Sequence, residues 1–268
     1  MSAEAQDRVV DCGRWWTTRA RPVLDVPLVT YPRSPAGRSG SGVRVALLAG
    51  RVDLSHPDLR DAVVTGPATR GTSLPDPSWH ATACASLLVG QGLAHVRGVA
   101  PEAHLLAVPV LGFDGRTADE QIVRAARWAL GEGADVLVLP FGRRHRARRV
   151  AVVLRTVAES GVRVFVAAGD LGADVLAFPA SASGVVAVTG HDHDGIVDGC
   201  SERADVAAPG RDVPAAGHGR LVRLQGSAPA TVLAAGAWAA RRSLLAIGPR
   251  HRAGIDERRG LVDAGGRP

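Results

Sequence analysis

The sequence predicts an α/β fold, with a central, mainly parallel sheet flanked by helices in three layers. Three observations carry this. Short apolar runs recur along the middle of the chain, amphipathic helical patterns separate them, and small turn residues follow several of the runs. The 268 residues are 46% hydrophobic, enough for one large domain with a real core. Aromatics make up only 4%, so Val, Leu and Ala must fill that core.

Residues 1–42 read as an N-terminal arm and linker, carrying Trp15 and Trp16 and then the Pro/Gly/Ser-rich stretch YPRSPAGRSGSG. The domain proper is expected over 43–247. Its first strand is predicted at 43–48 (VRVALL), followed by strands at 105–111, 136–139, 162–167 and 185–188. Helices are predicted at 81–88, 117–130 and 150–160, and a further one after Gly226, apolar all round and packed by small residues. Residues 248–268 are polar and Arg-rich, a C-terminal tail.

All 32 Lys+Arg residues are arginine, and the net charge is +6. This favours acidic partners without requiring nucleic acid. Three widely spaced cysteines suggest neither a disulfide framework nor a zinc site. The N-terminus lacks a basic region followed by an apolar core, and no apolar run approaches a membrane span. These features lead to an expectation of a reduced, cytoplasmic protein with no cofactor, no metal, no nucleic acid and no membrane. His191, Asp192, His193 and Asp194 have metal-ligand residue types, but a solvated loop is the favoured reading.

In parallel sheets, ligands gather at the carboxyl ends of the strands. Those ends carry Ala49-Gly50-Arg51, Pro140-Phe141-Gly142 and Ala168-Gly169-Asp170. Several blocks then occur in one order: VRVALLAGRVDLSHPDL, HATACASLLVG, RGVAPEAHLLAVPVL, WALGEGADVLVLPFG, VFVAAGD, AFPASASGVVAVT, DVAAPG and GSAPATVLAAGA. Together they resemble the subtilisin-like serine peptidases, the subtilases, over roughly 43–247, with an echo of a closing strand at 260–264. The resemblance implies the subtilisin-like fold, with the triad-equivalent positions at Ala49, His80 and Ala228 and the oxyanion-hole position at Asp170.

Only His80 keeps the family residue. Alanine offers no nucleophilic hydroxyl at 228 and no carboxylate at 49 to orient an imidazole. The resemblance with these replacements implies a catalytically inactive pseudoprotease, a non-enzyme that binds a peptide or protein partner, acidic in character. Maturation of a ribosomally made peptide is the setting that family habit suggests. Two alternatives stay open: a residual or repurposed hydrolase using His80 with Ser227 or Asp170, and a structural subunit that stabilises a partner enzyme. The peptide groove implied by the resemblance comprises Gly112, Gly115, Arg116, Pro140, Phe141, Gly142, Arg143 and Arg144, with the charge run RRHRARR directly after Gly142.

Overall fold

A computed structural model describes residues 10–11, 39–67, 79–112, 114–192, 194–217 and 219–247. Trp15, Trp16, most of the arm, His193, the tail and the 260–264 segment lie outside the described residues.

Seven strands form one sheet, in which every neighbouring pair is parallel. They are β2 (Arg44–Ala49), β3 (Val64–Thr65), β5 (His104–Pro109), β6 (Val136–Leu139), β7 (Arg163–Ala167), β8 (Val186–His191) and β9 (Val206–Pro209). Their order is β3-β5-β2-β6-β7-β8-β9. The central strands are buried on both faces, which is why they read as continuous apolar runs rather than as alternating ones. Two smaller pairings complete the strands. β1 (Val10–Asp11) lies parallel to β4 (Val96–Arg97), and β10 (Val213–Gly217) is antiparallel to β11 (Arg220–Leu224).

Helices α1 (His80–Val89) and α4 (Ser227–Ile247) pack on one face of the sheet. Helices α2 (Asp119–Gly131) and α3 (Arg148–Glu159) pack on the other. The predicted α/β architecture therefore holds, with element ends shifted by one to three residues. The sequence reading did not include β3, β9 or the β10–β11 hairpin. β3 is too short to leave a pattern, and the hairpin turns at a glycine with φ 68°, Gly219.

The two faces are built differently. α1 is buried from Ala81 to Val89, and α4 buries Ala230, Ala234, Ala235, Ala237, Ala239 and Ala240. Small side chains let α4 lie close to its neighbours. At Gly236 an added Cβ would stand 1.9 Å from Val99 Cγ2, so only glycine fits. By contrast, α2 and α3 each bury a single stripe and turn arginines outward.

Candidate active site

The crossovers in a parallel sheet bring all strand carboxyl ends to one edge, and the helices that follow begin near it. Ala49 is the last residue of β2. It is fully buried, and its carbonyl accepts from Val110 N at 2.7 Å and Leu111 N at 3.0 Å. Its methyl group belongs to the core between the sheet and α1/α4. His80 opens α1, directly after Trp79, whose φ of 49° turns the chain sharply into the helix. The Trp79 ring lies against Gly217 of β10, so the hairpin unrecognised in the sequence braces the turn that presents His80. The loop after β2 is fastened to the same helix, because Asp53 N donates to Thr82 Oγ1 at 2.9 Å. The imidazole is partly exposed and lies 3.9 Å from Cys84 Sγ, one turn along α1.

Ala228 is the second residue of α4 and stays partly open, whereas Ser227 and Pro229 on either side are buried. The first turn of α4 is held by the loop after β7. Ser227 N donates to Asp170 Oδ1 at 2.9 Å, and Gly169 N donates to Ser227 Oγ at 3.1 Å. A carboxylate at a helix N-terminus satisfies an orphan amide and complements the helix dipole. Gly226 permits this approach. Its φ is 101°, and a Cβ there would meet Asp170 Oδ2 at 2.3 Å. Asp170 is itself exposed and also accepts from Cys200 Sγ at 3.1 Å. Burial, and then the neighbouring Asp170 carboxylate, push the Cys200 thiol up to about 12. The Asp170–Cys200 contact joins residues 30 apart in sequence and left no signal there.

The geometry bears on the alternative nucleophile. Ser227 Oγ is buried, and its hydrogen-bond partner among the described residues is the Gly169 amide. It therefore acts as a brace between β7 and α4. Of the four positions 49, 80, 170 and 228, His80 and Asp170 alone carry ionisable side chains.

The two candidate groove segments do meet. Arg143 N donates to Phe178 O at 2.8 Å, and Phe178 N donates to Arg143 O at 2.9 Å. The Arg143 guanidinium pairs with Asp119, reaches Thr117 O at 3.4 Å and sits 5.6 Å from the Phe178 ring centroid. Arg143 is thus an internal tie between the 112–119 turn and the 140–143 segment, and not a free cation as its sequence position suggests. Gly112 N and Arg116 O close the turn at 2.8 Å, and Gly115 has φ 70°. Arg116 is 89% exposed and only loosely paired with Asp114, at 3.9 Å, and Arg144 is exposed. Pro140 is buried, Phe141 partly so, and Gly142 is open.

No group of three or more His, Cys, Asp or Glu able to hold a metal occurs among the described residues. Asp192 instead accepts from the amides of Asp194 at 2.8 Å and Gly195 at 3.2 Å, and pairs with Arg211. Asp58, fully buried, accepts from the amides of Ala94, His95 and Val96 at 2.8–3.1 Å. No described helix is long and apolar enough to cross a membrane.

The fold is that of a subtilisin-like α/β protein. The chain belongs to the subtilase family, whose model matches residues 40–251. It is 32% identical over 206 residues to subtilisin BL of Lederbergia lenta, covering 75% of this chain and 76% of that protein. It is 30% identical to the thermostable alkaline protease of Halalkalibacterium halodurans, of which it spans 56%. Among solved structures it resembles a mutant of the protease domain of PatA, with TM-score 0.72, 27% identity and 85% of each chain covered. It also resembles the prenylagaramide maturation protease PagA, with TM-score 0.68, 28% identity and 76% of each chain covered. PatA itself is a patellamide maturation protease.

These likenesses correct one expectation. The chain was expected not to be an enzyme, yet its structural neighbours are maturation proteases, which points to a protease. The alanines at 49 and 228 describe which groups two positions lack. They do not define the class of the whole fold.

Proposed function

We propose that the chain acts in the maturation of a ribosomally made peptide, recognising an extended, acidic segment of it at the strand ends. His80 is the proton-carrying group of the site, and Ala49, Ala228 and Asp170 occupy the remaining triad-equivalent and oxyanion-hole positions. The observation that carries the reading is the junction of the 112–119 turn with the 140–143 segment, tied by Arg143 beside the likeness to maturation proteases. With the Arg143 backbone paired to Phe178, main-chain pairing to an extended peptide would fall to the exposed Gly142 and the half-buried Phe141 beside the turn. Arg116 and Arg144, exposed next to them, would pair with its carboxylates.

The test uses a panel of synthetic peptides of varied charge. Affinity is measured by calorimetry, and bond cleavage by mass spectrometry. The double variant Arg116→Glu/Arg144→Glu should weaken binding of acidic peptides roughly tenfold or more and leave the fold unchanged by circular dichroism. Equal affinity in the folded double variant would remove the groove reading. Any cleavage that survives His80→Ala would take His80 out of its role.

A further inference from the structure

We propose that the outer face of α2 and α3 is a second binding surface, for an acidic amphipathic helix of a partner protein. This goes beyond the strand-end site and does not depend on it. A cavity of about 430 Å3 opens between the two helices. Val123, Leu130, Val152 and Val157 line its floor. Val152 is 57% exposed, an apolar side chain pointing outward from the middle of a helix whose other valines are largely covered. Arg127, Arg148 and Arg149 form the rim.

Two of the three rim charges have no carboxylate partner among the described residues. Arg149 reaches Glu120 at 2.8 Å, whereas Arg127 and Arg148 have no carboxylate partner among the described residues. Arg148 and Arg149 are the first two residues of α3, where the helix dipole is unfavourable to cations. That turn has no acidic residue, and Ala147 before it gives no side-chain cap. Arg148 therefore costs the helix some stability without an ion pair in return, whereas Arg149 is offset in part by Glu120. A ligand bringing carboxylates would reverse the sign of that balance.

The shape selects a helix. α2 and α3 each leave a strand end and return antiparallel to the sheet, so they run parallel to one another with a furrow between them. The twelve residues of α3 span about 18 Å, room for a partner of three turns. An apolar stripe at i, i+3, i+4 and i+7 would cover Val152 and the floor, and flanking Asp or Glu would meet Arg127 and Arg148. The described part of this chain supplies no such helix. α1 and α4 are largely buried, and the acidic start of α2 already belongs to the rim. The occupant proposed is a segment of another protein, chosen for its complementarity to the unpaired Arg127 and Arg148. The apolar floor argues against nucleic acid, whose backbone would find no use for it.

The test is selection from a displayed library of helical peptides on the whole chain, beside the variant Val152→Glu/Arg148→Glu. The expected winners carry apolar residues in helical spacing flanked by Asp and Glu. Made synthetically, they should bind the variant roughly tenfold or more weakly by fluorescence anisotropy. Thermal melts of both proteins serve as the folding control. No acidic helical enrichment, or equal affinity for a folded variant, overturns the proposal. Groove-dependent sedimentation with phosphatidylglycerol vesicles, without peptide enrichment, would overturn it in favour of a membrane surface. Peptide binding at Arg116 and Arg144 should be unaffected by the groove variant, which keeps this test separate from that of the strand-end site.

Discussion

The two faces of the sheet are covered by a helix pair each, yet the pairs answer to different constraints. α1 and α4 are buried almost throughout, in alanine and glycine, and their first turns carry His80 and Ala228. α2 and α3 bury one stripe and expose a furrow edged with arginine. A helix packed on all sides positions its first turn through many contacts, which suits chemistry that tolerates little misplacement. A helix packed on one side leaves the other free to carry charge. The contrast teaches that the positions at the starts of α1 and α4 and at the end of β2 are fixed by close packing, whereas the outer arginines stand where packing constrains little.

The sharpest way to break this contrast is to substitute one side chain on each face. Gly236→Val would drive a branched side chain into Val99, already 1.9 Å from the position of a Cβ. Overpacking of this kind should cost about 3 kcal/mol, whereas Val152→Ser on the outer face should stay within about 0.5 kcal/mol. Urea denaturation of both variants measures the difference. Comparable losses would mean that the outer furrow is as tightly specified as the inner face.

Most of the fold was legible in the sequence because central parallel strands are uniformly apolar and α2 and α3 are strongly periodic. Blocks such as HATACASLLVG and GSAPATVLAAGA supplied the family likeness and the positions expected for a site. Contacts between distant segments were not legible. Arg143 stands in a charge run that reads as free surface, yet Asp119, Thr117 and Phe178 enclose its guanidinium. Nothing in the spacing of Asp170, Cys200 and Ser227 announces that one carboxylate joins all three. The class was misjudged for a different reason: two missing side chains were weighed against a whole chain of family likeness.

A smaller effect should appear at that carboxylate. With Cys200 pushed up to about 12, only about one thiol in ten thousand is ionised near pH 8. Burial is the larger cause and the Asp170 charge the second. Asp170→Asn removes the charge and keeps an oxygen acceptor for Ser227 N. Alkylation of Cys200 by iodoacetamide should therefore speed up roughly tenfold for each unit its pKa falls. Cys84, buried and outside any disulfide, serves as the internal reference. An unchanged rate would assign the whole shift to burial.

The smallest effect concerns pH, and it too separates the faces, since α2 and α3 contain no histidine while the described sheet and loops hold four buried or half-buried ones, His56, His95, His104 and His191. Burial holds His56 and His191 below the usual imidazole range, and burial, then Arg44, does the same for His104. Asp58 and Asp53 oppose the shift at His56, whereas His95, with its ring centroid 6.0 Å away, adds to it. A base with a depressed folded pKa binds its proton more readily in the unfolded chain. Its contribution is therefore complete above about pH 6.5 and is lost as pH falls from there toward the folded pKa. Carboxylates act elsewhere. At Asp192 burial is outweighed by the bond from Arg211 and the amides of the turn, so its pKa is lowered and its contribution is lost only in more acidic solution. Urea midpoints between about pH 7.5 and 5 should thus fall with pH, and mainly through these imidazoles. His56→Gln retains an acceptor for the Asp58 amide, which donates to His56 Nδ1 at 3.2 Å, and removes the titration. The slope in that window should flatten in the variant. An equal slope would move the acid sensitivity to His191 and His104, at the end of β8 and at the start of β5.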